Sequence, residues 1–331
     1  MADDPGNSTL TDFSKNSPVV DNQYNHDDWT LAGKQGVLRI RAEILFSIRE
    51  FFRDRNYLEV ETPVLIPAPA PELYIDAVAC GFQYLQTSPE LCMKRLLSAG
   101  YPKLFQICRC FREAERGSRH LPEFTMLEWY VKGEDYLFLM EECEALFRFL
   151  AGTLYGKDEI PFQGNRIALS SPWERLSVNE AFQRYGGMSA QQALAEDCYD
   201  EVLVTRIEPR LGNGRPTFLY DYPVELAALA KTRQDDPSLA ERFELYLAGM
   251  ELANAFSELI DPVEQAHRFE EAQQQRSALG KKPYPWPERF LRALSEMPPS
   301  AGIALGIDRL VMLLTDRASI DDVVAFPPER L

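Results

Sequence analysis

Residues 103–131, KLFQICRCFREAERGSRHLPEFTMLEWYV, read as a β-hairpin. The first strand is KLFQICRCFRE, the loop carries Gly117, His120 and Pro122, and the return strand is EFTMLEWYV. In the return strand Phe124, Met126, Glu128 and Tyr130 share one face by the two-residue period, so an acid and a phenol project from an otherwise apolar surface. A carboxylate placed there is costly unless something pairs with it, which makes Glu128 a candidate binding residue. Cys108 and Cys110 share a strand face and read as small apolar core residues. Six scattered cysteines with no CxxC pair, and only three histidines, make a structural zinc site improbable.

Upstream, YLQTSPELCMKRLLSAG (84–100) reads as a strand and then a helix, with Ser88 as N-cap and Glu90 in the first turn. Earlier still, Val37, Ile40, Ile44, Leu45, Ile48, Phe51 and Phe52 recur at helical spacing, predicting an amphipathic helix from Gly36 to about Asn56. The strand YLEVETPVLIP follows, and Pro63 stops regular pairing. Downstream, residues 136 to about 212 read as a peripheral, mostly helical insertion. PTFLYDYP and ERFELYLAGMELANAFSELI then recover strand character, and PSAGIALGIDRLVMLLTD reads as a glycine-containing strand and turn running into an apolar helix. The pattern predicts an α+β fold: a sheet flanked by helices as one catalytic domain over 31–331, behind a loosely ordered polar tail over 1–30.

The 331 residues, 45% hydrophobic and 26% charged, suit an ordinary globular chain with a large core. A net charge of −16 argues against a surface that grips polyanionic nucleic acid throughout. Any basic patch must be local, and Lys94, Arg95, Lys103, Arg109, Arg112, Arg116 and Arg119 supply one candidate. No run approaches the roughly 18 apolar residues of a membrane span, and the N-terminus lacks a basic n-region and an apolar h-region; a cytoplasmic protein is expected.

Two arginines stand where strands end, Arg112 and Arg309, and a guanidinium's planar fork grips phosphate and carboxylate oxygens in pairs. Gly306 would let a flat ligand approach the backbone, while Arg309 falls in the first turn of a helix whose N-terminus favours anions. In ELANAFSEL (251–259), Asn254, Phe256 and Glu258 share one strand face, a wall suited to a substrate ammonium, with an aromatic such as Phe256 or Tyr130 against the alkyl stem or the cation. Glu251 suits Mg²⁺, which takes one or two carboxylates plus phosphate oxygens.

FREAERGSRHLPEFTMLEWY (111–130) resembles the second motif of class II aminoacyl-tRNA synthetases, GIALGIDRL (302–310) resembles the third, and the first helix with ETP (61–63) resembles the first. Together with TSPEL (87–91) and ELANAFSEL they look like a lysyl-tRNA synthetase catalytic domain, from about residue 36 to the C-terminus. Those synthetases place an anticodon-binding β-barrel before that domain, where only a short polar tail is seen here. The expectation is therefore the family of elongation factor P lysyltransferases, which attach lysine or (R)-β-lysine to a lysine side chain of that factor. Ala304 fits, since lysyl-tRNA synthetases usually have glycine at that point.

The resemblance implies an ATP-dependent ligase, using Mg²⁺, that forms an aminoacyl-adenylate. Arg112 and Arg309 would be catalytic and hold phosphates, with Glu113 or Glu115, His120, Phe124, Glu251, Leu252 and Gly306 completing the ATP site. Ser88, Pro89, Glu90, Glu128, Tyr130, Asn254, Phe256, Glu258 and Ala304 would surround the amino acid, and Glu251 with Glu258 would reach the metal. Two positions depart from the family pattern. Ala114 stands where the second motif has Glu, leaving Glu113 or Glu115 to meet the adenine, and Leu121 stands where Asn often follows the histidine. A homodimer through the first helix is implied. Transfer to tRNA, which would need a basic acceptor-stem surface, and a catalytically silent lysine- or nucleotide-binding module are the rival expectations.

Overall fold

The computed structural model describes residues 28–170 and 172–331. The tail expected over 1–30 lies, as far as residue 27, outside the described residues. Helices α1 (Asp28–Gly33) and α2 (Gln35–Arg53) lead into the short strands β1 (Leu58–Glu59), β2 (Leu65–Ile66), β3 (Ala79–Cys80) and β4 (Gln83–Leu85). After α3 (Glu90–Ser98) come the hairpin β5 (Lys103–Phe111) and β6 (Glu123–Lys132), helix α4 (Tyr136–Tyr155), the hairpin β7 (Glu159–Phe162) and β8 (Asn165–Ala168), and β9 (Glu174–Ser177). Short helices α5 (Val178–Ala181), α6 (Ala190–Ala195) and α7 (Tyr199–Val202) precede β10 (Thr217–Pro223), β11 (Leu239–Leu247) and β12 (Met250–Ser257). The chain closes with α8 (Pro262–Ala278), α9 (Glu288–Leu294), β13 (Ser300–Gly306) and α10 (Ile307–Leu314).

Eight strands form the main sheet in the order β1-β5-β6-β13-β12-β11-β10-β9, antiparallel at its centre and parallel at both edges. One face is sealed by α2, α4 and α10, whose Ile44, Phe52, Phe147 and Val311 join Trp129 of β6 in a continuous core. The other face is covered only at its two ends. Met93 and Leu97 of α3 pack there with Phe269 of α8 and Phe290 of α9, while Phe182, Tyr199 and Val202 pack against Tyr222 and Tyr246. Helices at both ends of one face leave a trough across its middle, where the site lies.

Three sequence expectations change. The region 136–212 is not uniformly helical: α4 is integral to the core because its apolar residues face α2 and the sheet, and a hairpin and an edge strand precede the short helices over 178–210. The YLEVETPVLIP strand is reduced to two-residue pieces, since its prolines interrupt pairing. No turn separates Gly302 from Gly306; β13 runs straight into α10.

Register places the open-face residues in rows across the sheet. One row runs Gln106, Glu128, Ala304, Asn254, Glu244, and the next runs Leu104, Tyr130, Gly302, Phe256, Arg242. A clamp holds the end of β13 beside them: the buried Asp308 accepts from the Thr125 amide at 2.7 Å and pairs with Arg41 of α2, also at 2.7 Å. This fixes the first turn of α10 and so the root of Arg309. Asp308→Ala strands the half-buried Arg41 and a buried amide, and should lower unfolding free energy by about 3 kcal/mol or more in urea denaturation.

Candidate active site

The trough contains a cavity of about 1050 Å³. Its lining brings together Arg112, Glu115, His120, Phe124, Glu251, Leu252, Asn254, Ala304, Gly306 and Arg309. Arg112 follows β5 directly, its guanidinium 5.1 Å from the Phe124 ring centroid and 3.7 Å from the Glu115 carboxylate. Its Nε is buried without a hydrogen-bond partner among the described residues, a donor left for a ligand. Arg309, from α10, donates to the Glu251 carbonyl at 2.8 Å and to the Arg119 carbonyl at 3.2 Å, and meets His120 Nε2 at 2.5 Å. Because a guanidinium only donates, His120 accepts there. Desolvation, then the Arg309 charge, lowers the histidine's pKa and favours this neutral ring.

Gly306 is not demanded by its protein neighbours. A Cβ there would touch only the methylene carbons of Arg309, at 3.8 Å or more. The space it leaves is therefore available to a flat ligand. Of the two acids offered in place of Ala114, Glu115 lines the cavity, whereas Glu113 is exposed and does not. Ala114 itself takes a left-handed backbone (φ 61), which swings the chain between these two glutamates.

The remaining expected residues do not line this cavity. They form a buried cup beside it along the same rows. Glu128 accepts from Ser88 Oγ at 2.6 Å and from Tyr130 OH at 2.8 Å. Ser88 also accepts from the Glu90 amide at 3.0 Å, so the turn holding Pro89 sets the start of α3 and the place of Glu90. Glu258 follows β12, its Oε1 buried without a hydrogen bond among the described residues. Gly302 floors the cup: a Cβ there would collide with both the Tyr130 ring and the Glu258 carboxylate. Burial, then the nearby Glu90 charge, pushes Glu128 up to about 8. Burial also raises Glu258, against the opposing pull of Lys94.

Lys94 was not an expected member of the cup. It is part of the stretch that supplies a candidate local basic patch, but the structure buries it to 1% exposure, with Nζ 2.5 Å from Glu90 and in contact with Glu258. The stretch disperses in other ways too, since Arg116 pairs at 2.8 Å with both Asp321 and Glu329. The i,i+4 spacing of Glu90 and Lys94 on α3 carried the signal for this pair.

Glu258 does not join Glu251 at a metal, because its carboxylate faces Lys94. Glu251 instead has Glu244 and Glu208 as neighbours. Burial and then the Glu251 charge raise both of their pKa values. Arg242 partly balances them, donating to Glu244 and Leu226 O at 2.6 Å each and to Asn254 at 3.0 Å. Among the described residues no three His, Cys, Asp or Glu side chains converge on one point. The strand period that paired Asn254 with Glu258 would equally have paired Arg242 with Glu244.

The family model for class II tRNA synthetases (D, K and N) matches residues 18–330. The chain belongs to this family. With that membership come the fold described above and the ligase class. A lysine–tRNA ligase of Moorella thermoacetica is 39% identical over 317 residues, 88% of this chain and 64% of its own length. The corresponding ligase of Carboxydothermus hydrogenoformans is also 39% identical, over 64% of its length. The chain thus spans about two thirds of these relatives. An elongation factor P–(R)-β-lysine ligase of Pseudoalteromonas translucida is 38% identical over 91% of this chain and 98% of its own length, so the resemblance to that family extends across a whole member.

Gly302→Ala tests the cup without touching the cavity. The added methyl should cost about 1–3 kcal/mol of stability as overpacking and displace Tyr130 and Glu258, with ligand recognition by the cup falling more than recognition by the cavity.

Proposed function

We propose that this chain activates lysine or a β-amino isomer of it as an aminoacyl-adenylate, and passes the acyl group to a lysine side chain of elongation factor P in the cytoplasm. The observation that carries the lysine reading is the buried Glu258 carboxylate oxygen without a hydrogen bond, in a cup that also holds Glu128, Glu90 and the Tyr130 hydroxyl. A cation with N–H donors suits such a site, because it supplies both the hydrogen bond and the countercharge. A diamino acid extending from cup to cavity would present its carboxylate near Arg112, beside the donors suited to a nucleotide's phosphates.

The substrate carboxylate would attack the α-phosphorus in line, the new C–O–P bond forming as the bond to pyrophosphate breaks. Arg112 stabilises the charge that develops on the phosphoryl oxygens, and Arg309, oriented by neutral His120 and the Glu251 carbonyl, holds the rest of the triphosphate. Glu251 and Glu244 would hold Mg²⁺, which screens phosphate charge when bound. Glu115 takes the adenine-facing role that Ala114 leaves vacant, which favours a working enzyme over a silent module. An acceptor amine then attacks the activated carbonyl and AMP departs.

Support for elongation factor P as acceptor comes from the alignment across nearly the whole P. translucida ligase and from Ala304 on the cavity wall. Exposed Ile40 and Phe46 on α2, with Leu58 just after it, favour a homodimer through that face. The identity to lysine–tRNA ligases keeps tRNA as the second reading. Mass spectrometry of elongation factor P incubated with this protein, ATP and each lysine isomer separates them: a single aminoacyl mass increment is expected, whereas tRNA charging with unmodified factor would overturn the acceptor.

A pH dependence follows. An ammonium binds the ionised carboxylates, and below about 8 Glu128 must first lose a proton, so the KM for lysine should fall as pH rises from about 6.5 to about 8.5, by up to roughly tenfold per unit. Lysine-dependent ATP–pyrophosphate exchange at several pH values measures it; a flat KM would show that the cup stays ionised throughout.

A further inference from the structure

Lys94 is a buried ammonium placed where a substrate ammonium would be expected. Its Nζ bridges Glu90 on its own helix, at 2.5 Å, and Glu258 at the end of β12, and it stands 5.0 Å from the Phe256 ring centroid. From β6 the cup receives Glu128 and Tyr130, and Glu72 approaches from the loop over 71–76. Burial and then the Glu90 charge push Glu72 up to about 7, against the opposing pull of Arg112 and Arg242. When Glu90, Glu128 and Glu258 are all ionised they face one resident positive charge, and two negative charges remain.

We propose that Lys94 is a positioning residue for amino-acid selection: by fixing Glu90 and Glu258 and cancelling one of three carboxylate charges, it sets the cup to accept ligands that carry two ammonium groups. This rests on the lysine reading above. A ligand with one ammonium leaves a buried carboxylate unpaired, and a neutral side chain leaves Glu258 without any second donor. Burial alone would drive Lys94 toward the neutral form, but the charges of Glu258 and Glu90 outweigh it and keep the ammonium protonated. The cup's geometry is thus maintained by an internal cation, and the substrate completes it.

Lysine-dependent pyrophosphate exchange with the full chain tests this against a merely structural role. In Lys94→Met the carboxylates repel one another and take up a proton. The KM for lysine should rise roughly tenfold or more, with its pH midpoint displaced upward by about one unit, while the KM for ATP changes by less than about twofold. Lys94→Met/Glu90→Gln restores the remaining two negative charges and should return the pH midpoint toward that of the unaltered protein. The double variant, which removes the pair together, also answers the question if Lys94→Met alone fails to fold. An unmoved midpoint in both variants, or an unchanged lysine KM in Lys94→Met, overturns the role of Lys94. Absence of lysine-dependent exchange by the unaltered protein would instead remove the lysine reading itself.

Discussion

Three carboxylates meet in a space from which water is largely excluded, and the rest of the structure answers to that crowding. Ionised acids in such a place repel one another and lose hydration, so each must find a donor or a cation. Ser88 and Tyr130 serve Glu128, and Lys94 serves Glu90 and Glu258. What they leave unsatisfied, above all one oxygen of Glu258, defines the ligand chemistry. The neighbouring cavity adds guanidinium groups to its wall, among them Arg112 with its unpaired Nε, alongside the acids Glu244 and Glu251.

The sheet makes these two environments adjacent. Rows of paired residues carry the acid face of β6 past the small residues Ala304 and Gly302 of β13 to Asn254 and Phe256 of β12. Small residues in the middle strand are what allow long side chains on either side to lean over it. Gly302 is the tightest point, since no side chain could stand there with Tyr130 and Glu258 in place. The three helices behind the sheet supply the apolar core that holds these rows rigid, and the Arg41–Asp308 pair carries that rigidity to Arg309.

Much of this was legible in the residues. The two-residue period put Glu128 and Tyr130 on one face and Asn254, Phe256 and Glu258 on another, and local charge type marked Arg112 and Arg309. Position in space was less legible. Whether Glu113 or Glu115 turns inward depends on the left-handed conformation of Ala114. That Lys94 is buried depends on α3 docking against β6 and α9, a long-range contact that makes a surface-looking cation internal. The helix α4 looked peripheral because amphipathic periodicity shows that a helix has a buried face without showing what covers it.

Selection by ammonium count follows from a cup whose ionised carboxylates outnumber its one resident cation. Comparing ATP–pyrophosphate exchange supported by lysine with that supported by norleucine, which has the same stem without the terminal amine, tests it most directly. A preference for lysine of about 10⁴-fold or more in kcat/KM is predicted, because norleucine would leave buried carboxylates unpaired. Exchange with norleucine within about tenfold of lysine would contradict it.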